Sequence, residues 1–148
     1  MLNKVCLIVF LFFSIPSFAG DQATMGKTKL TFTIVAPKSL SQEGKQLFLS
    51  HAEWMKSTHH HTGPQALLSY DVSEMNELTN PTDLKSKPTG NVIFILSEIY
   101  ETDAGVEDHF ARTPDWKDWP KFDKWLKKCK VTKVSAAKIF NSLTWNGK

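Results

Sequence analysis

Between Asn91 and Phe110 the chain passes from a strand into a helix, and this passage limits its fold more than any other stretch. Val92 to Tyr100 is rich in β-branched and aromatic residues. Its even positions, Val92, Phe94, Leu96, Glu98 and Tyr100, share one face of a strand. That face carries an acid and a phenol side by side. Thr102 then supplies a helix cap, Asp103 sits in the first turn, and Val106, His109 and Phe110 recur with the spacing of one inward stripe. His109 therefore points inward.

The segments on either side repeat the same logic. Leu30, Phe32 and Ile34 alternate with Thr31, Thr33 and Val35, which reads as a half-buried strand ended by Pro37. Ser39 and Gln42 have the spacing of a capping box. From there to about Thr58, the residues Leu47, Phe48, His51, Trp54 and Met55 form the apolar stripe of a helix. Gly63-Pro64 closes it, and Ala66, Leu68, Tyr70 and Val72 alternate in a second strand. The polar stretch Ser73 to Gly90 exceeds the roughly 2–5 residues of an ordinary hairpin loop, so it reads as an insertion that is mobile, covers a pocket or embraces a second subunit. Beyond the His109 helix, Pro120 suits the first turn of another helix with Phe122, Trp125, Leu126 and Cys129 inward. Its outward Lys121, Lys124 and Lys128 read as a solvated face. A β-leaning segment from Val131 to Trp145, strongest at Lys138 to Leu143, completes a β-α-β-β-α(α)-β order. This is an α+β chain of the ferredoxin-like kind, with four antiparallel strands and helices on one face.

Met1 to Ala19 combines Lys4, an apolar run from Val5 to Phe13, Pro16, and small residues at Ser17 and Ala19, the pattern of a secretory signal peptide. The expected organisation is a signal at 1–19, a flexible segment at 20–28 and one folded domain at 29–146. It would be secreted or periplasmic, with no membrane anchor after cleavage. A net charge of +3 over 148 residues gives no reason to expect nucleic acid as a partner. Cys6 leaves with the signal, and Cys129 then has no intrachain partner. It reads as a structural thiol, with an intermolecular bond or a reactive group as the alternatives.

Glu-x-Tyr with a His eleven residues after the Glu, placed across a strand-to-helix junction as Glu98, Tyr100 and His109, resembles the antibiotic-biosynthesis-monooxygenase-like family of dimeric α/β barrels. The element order agrees over most of the mature chain. That resemblance implies a homodimer in which two sheets close into a barrel. It also implies a small-molecule ligand, and for some members an oxygenation of quinol-like or polycyclic substrates that needs no cofactor. The family also contains haem-degrading relatives, isomerases and members without known activity. Its studied oxygenases use an Asn that cannot be matched to a position here.

Two histidines, His51 and His109, lie in the apolar stripes of helices expected to cover one sheet face. Either each is a core histidine bonded to a carbonyl or to Glu98, or they bound a pocket with Trp54, Tyr70, Glu98 and Tyr100. In the second case His109 is the base, Glu98 orients it, and Tyr100, Trp54 and His51 shape the cavity, with His51, Trp54 and Tyr70 holding substrate. The run His59-His60-His61 cannot aim three rings at one ion while it stays helical, so it reads as an exposed helix end and no metal is expected. Motifs for zinc proteases, phosphate loops or serine nucleophiles are not present in the sequence. Two functions remain open: a cofactor-independent monooxygenase acting on a small aromatic or quinone-like substrate, or a non-catalytic dimeric module binding a small ligand or haem in the cell envelope.

Overall fold

The computed structural model describes residues 24–143, so the expected signal peptide lies outside the described residues. The elements are β1 (Thr28–Pro37), α1 (Ser41–Thr58), β2 (Leu67–Leu78), β3 (Pro88–Tyr100), α2 (Asp103–Arg112), α3 (Trp119–Leu126) and β4 (Lys130–Lys138). The strands form one sheet in the order β2-β3-β1-β4, every neighbouring pair antiparallel. This α+β arrangement, an open sheet with three α-helices, is compatible with a ferredoxin-like fold.

Alternation in β1 and β3 decides where the core lies. Leu30, Ile34 and Ala36 on β1, and Val92, Phe94, Leu96, Glu98 and Tyr100 on β3, are buried beneath the helices. Leu47, Phe48 and Met55 of α1, Val106 of α2, and Phe122 and Trp125 of α3 close over them. The indole of Trp125 is held from both sides: its N–H donates to the Leu40 carbonyl at 3.1 Å, and its ring packs on Gly44, where a Cβ would collide with it. The opposite face of β3 leaves Ile95 partly exposed, with Met75 of β2 and Val134 of β4. An apolar sheet face thus lies open in the single chain.

Four boundaries differ from expectation. Strand β2 runs on to Leu78 and β3 begins at Pro88, so half of the expected insertion is an extended hairpin and only the residues from Thr79 to Lys87 connect the strands. The residues Lys38–Leu40 form a 3₁₀ turn and α1 begins at Ser41 without a side-chain cap, so the Ser39 capping box does not form. In the C-terminal segment, β4 ends at Lys138, and the more apolar Ile139 to Leu143 lies beyond it with Phe140 fully in solvent. Thr24 to Lys27, in the segment expected to be flexible, form a turn whose Gly26 N–H donates to the Ile139 carbonyl at 2.8 Å. As expected, the Thr102 hydroxyl caps α2 by accepting from the Ala104 N–H at 3.2 Å, and Pro120 stands in the first turn of α3. Cys129 is half-buried, and its thiol donates to the Trp125 carbonyl at 3.3 Å.

Candidate functional site

Glu98 sits on an inner strand, opposite Leu30 of β1 on one side and Tyr70 of β2 on the other. Two residues along the same face, the Tyr100 hydroxyl donates to its Oε2 at 2.6 Å. Oε1 is fully buried and has no hydrogen-bond partner among the described residues. An unmet buried acceptor of this kind costs about 1–3 kcal/mol. Burial drives the Glu98 carboxyl up to about 7, although the bond from Tyr100 opposes the rise. Burial, with Glu98 beside them, also raises the phenols of Tyr70 and Tyr100, so both hydroxyls keep their protons.

Above this carboxyl the helices place the histidines. His51 comes from the middle of α1 and His109 from the last turn of α2, and their ring centroids are 5.5 Å apart. A ring nitrogen of each and one Glu98 oxygen lie within 4.8 Å of one another. His51 Nδ1 lies 3.1 Å from the Tyr70 hydroxyl, whose own proton goes to the Phe48 carbonyl at 3.3 Å. Trp54 stands half-buried beside the imidazoles, its ring 5.4 Å from His51 and 5.7 Å from His109. The six residues singled out from the sequence thus form one chain of side-chain contacts, but only His51 and His109 line an aromatic pocket; Trp54 and Tyr70 face other grooves, and Glu98 and Tyr100 are buried outside its walls.

Two parts of the expected arrangement are corrected. Glu98 does not orient His109; its one side-chain bond is to Tyr100, and the Nδ1 of His109 is held instead by His59 Nε2 at 3.1 Å. His59 is accordingly no exposed helix end, since it is buried while His60 and His61 are exposed. The backbone explains the split. His59 leaves the helix in an extended conformation, and Gly63, at φ +80°, turns the chain back so that the Leu67 N–H reaches the His60 carbonyl at 2.9 Å. The turn folds the His59 ring inward against Trp54, at 4.9 Å between centroids.

Trp116 is the second residue that the periodic patterns did not reveal. It lies in the short link between α2 and α3, buried against His51 at 4.9 Å, with its N–H donating to the Ser50 hydroxyl at 3.1 Å. A tryptophan two residues beyond Pro114 was the available signal.

Electrostatically the three imidazoles are neutral at physiological pH. Burial first, then the neighbouring His109 and His59, holds His51 down at about 3. His109 stands at about 3 for the same leading reason, with His59 and Lys133 adding to it and Asp108 opposing. His59 stands at about 4, where burial outweighs the attraction of Asp108. Each ring thus retains a lone pair.

A pocket of about 340 Å³ opens onto His51 and His109, with walls that include Phe32, Phe110, Trp116, Trp119 and Phe122. Lys133 is the one formally charged side chain lining it, its ammonium 4.1 Å from the Phe110 ring centroid and 5.1 Å from that of Phe32. A larger, shallower groove of about 690 Å³ runs along Trp54 and Trp116 past Glu53, Asp115 and Asp118, and it reaches none of the histidines. Among the described residues no helix is long and apolar enough to cross a membrane. No protein-family model matches the chain, and none of the curated proteins does.

Proposed function

We propose that the chain is an exported, dimeric enzyme that binds a small aromatic or quinone-like molecule in the pocket beneath α2 and α3 and oxygenates it. The observation that carries this reading is the pocket itself: aromatic walls, two neutral imidazoles at its inner end and a single cation, Lys133, at its side. Such a lining suits a phenol or quinol that must lose its proton. A neutral imidazole at the inner end, His109 foremost, accepts that proton, and Lys133 favours the resulting anion. An electron-rich anion held among aromatic walls can itself reduce oxygen, which is the chemistry implied by the likeness of Glu98, Tyr100 and His109 to the monooxygenase-like family.

The open sheet face supports the dimeric part. Ile95, Met75 and Val134 are each 37% exposed or more on that face, apolar side chains that a second copy would cover. Packing two such faces together would give the dimeric barrel.

The test is to incubate purified protein with a panel of quinols and phenols while following oxygen consumption and melting temperature. Oxygen uptake with one class of quinol is the expected result. Ligands that raise the melting temperature without any uptake would make the protein a binding module instead, and the absence of both would overturn the reading.

A further inference from the structure

Where His51, Glu98 and His109 converge, we infer that the protein holds a divalent first-row transition ion, with these three residues as its ligands. A ring nitrogen from each histidine and a Glu98 oxygen already lie within 4.8 Å of one another, all on buried side chains. In a tetrahedral centre with bonds of about 2.1 Å, ligand atoms stand roughly 3.4 Å apart, so closure by at most about 1.4 Å from the 4.8 Å spread completes the site. Two imidazoles and one carboxylate select the zinc and iron class over magnesium or calcium, which prefer all-oxygen sets.

Hydrogen bonding shows which atoms are free, and the proton directions follow from groups that can act in only one way. The Trp54 carbonyl can only accept, so the Thr58 hydroxyl donates to it at 2.7 Å. That hydroxyl oxygen then accepts from His59 Nδ1–H at 3.1 Å, which leaves His59 Nε2 to accept from His109 Nδ1–H. His109 therefore keeps its lone pair on Nε2. The same reasoning applies to His51: Tyr70 donates to the Phe48 carbonyl, accepts from His51 Nδ1–H, and leaves the lone pair on Nε2. On Glu98, Tyr100 occupies Oε2 and Oε1 is bare.

Each potential ligand thus has one atom tied to an outer partner and one left unoccupied, the arrangement that orients the ligands of metal sites. A single proton on Oε1 can serve only one of the two Nε2 lone pairs and leaves the other unused. A cation serves all three atoms. His51 and His109 line the pocket while Glu98 is not among its walls, so the open coordination positions face the pocket; with the ion in place both Nε2 lone pairs are committed to it, and a phenol would lose its proton on binding the ion rather than to His109.

The donor atoms carry this inference whether or not the pocket's ligand is a quinol, and its test uses no organic substrate. Purified protein stripped with a chelator is titrated with Co²⁺, followed by visible absorption, and then with Zn²⁺ in competition. Expected are one ion per chain, the visible bands of a low-coordinate cobalt centre, and displacement by zinc. Glu98→Gln and His109→Ala should each lower affinity more than tenfold, and His59→Ala, which removes only an outer partner, by roughly 10–100-fold. The double variant His60→Ala/His61→Ala should bind as the unaltered protein does. Cobalt binding that survives Glu98→Gln but vanishes with His60→Ala/His61→Ala would overturn the inference, as would the absence of cobalt bands in folded protein. Should the buried variants fail to fold, ring-nitrogen NMR of the unaltered protein decides. Zinc must move the Nε2 signals of His51 and His109 and leave those of His60 and His61 in place; the reverse pattern refutes the site.

Discussion

His59 Nε2 lies 3.1 Å from His109 Nδ1, although the two residues are fifty apart in the chain. Helix α1 ends where this contact begins, so the end of one helix sets the ring orientation in another. His59→Ala should cost about 1–3 kcal/mol by leaving a buried partner unmet, whereas His60→Ala and His61→Ala, both exposed, should stay within about 0.5 kcal/mol. Urea titration of the three variants checks this. Equal losses across the run would mean that the contact has no energetic role.

Gly105 connects packing to the same site. A Cβ placed there would stand 2.6 Å from Tyr100 Cδ1 and 3.0 Å from the Gln65 carbonyl oxygen, so Gly105→Ala has to move the ring that donates to Glu98. A loss of about 1–3 kcal/mol is expected from the overpacking, together with weaker ligand binding in the pocket. Calorimetric unfolding and a ligand titration on this one variant give both numbers. Unchanged values would show that Tyr100 has room to yield.

The strand-to-helix passage was legible because its two faces differ: Val92, Phe94, Leu96, Glu98 and Tyr100 are buried on an inner strand, and the odd positions mostly are not. Strands β2 and β4 are the sheet's edges, and their outer reaches touch little. Glu74 and Asn76 therefore carry no hydrophobic alternation to read, and the apolar tail around Phe140 looked more strand-like than the polar residues that pair with β1. Among site residues, His51 and His109 announced themselves by helical spacing. His59 did not, since its inward turn depends on a positive φ at Gly63 and on Trp54 being there to meet it. Hydrogen-bond direction was likewise invisible, which is why Glu98 was expected to hold His109.

Acid should destabilise the metal-free protein, and the sign can be worked out group by group. His51 at about 3, His109 at about 3 and His59 at about 4 all stand below the ordinary 6.5. Below 6.5 the unfolded chain gains protons that the fold refuses, so stability falls as pH drops. Glu98 acts in the opposite sense. With its carboxyl at about 7 against an ordinary 4.5, the folded chain holds a proton that the unfolded chain has released, and its contribution declines as pH rises through that window. Between 4.5 and 6.5 three imidazoles oppose one carboxyl, and the imidazoles prevail. Urea midpoints should thus be lower near about pH 5 than near about pH 7. A midpoint that rises on acidification would mean that the imidazoles are not buried as neutral rings.

If the open sheet face joins two copies, a charge placed on it should separate them. Ile95 lies on β3, opposite Thr33 of β1 and Ser73 of β2, and is 37% exposed in the single chain. Ile95→Lys leaves the helix-side core untouched, and in a dimer it would bury two like charges near the symmetry axis. Light scattering should give twice the chain mass for the unaltered protein and the single mass for the variant. A monomer in both would remove the dimeric barrel from the proposed function.

Lys133 offers the most selective check on what the pocket takes. Its ammonium rests over Phe110 and Phe32, at the side of a cavity whose other lining groups carry no formal charge. A phenolate bound among the histidines would feel that cation across a partly desolvated space, whereas a neutral aromatic of the same shape would not. Lys133→Met keeps the stem's contact with the two rings and deletes only the charge. Anionic ligands should therefore bind about tenfold more weakly, corresponding to about 1.4 kcal/mol, while neutral analogues keep their affinity. Raising the salt concentration should reproduce part of this loss, because the Lys133 side chain is exposed and its charge is open to screening. Titrating a phenol and its methyl ether into both proteins measures the difference directly. Equal losses for the two ligands would assign Lys133 to packing and leave the pocket indifferent to charge.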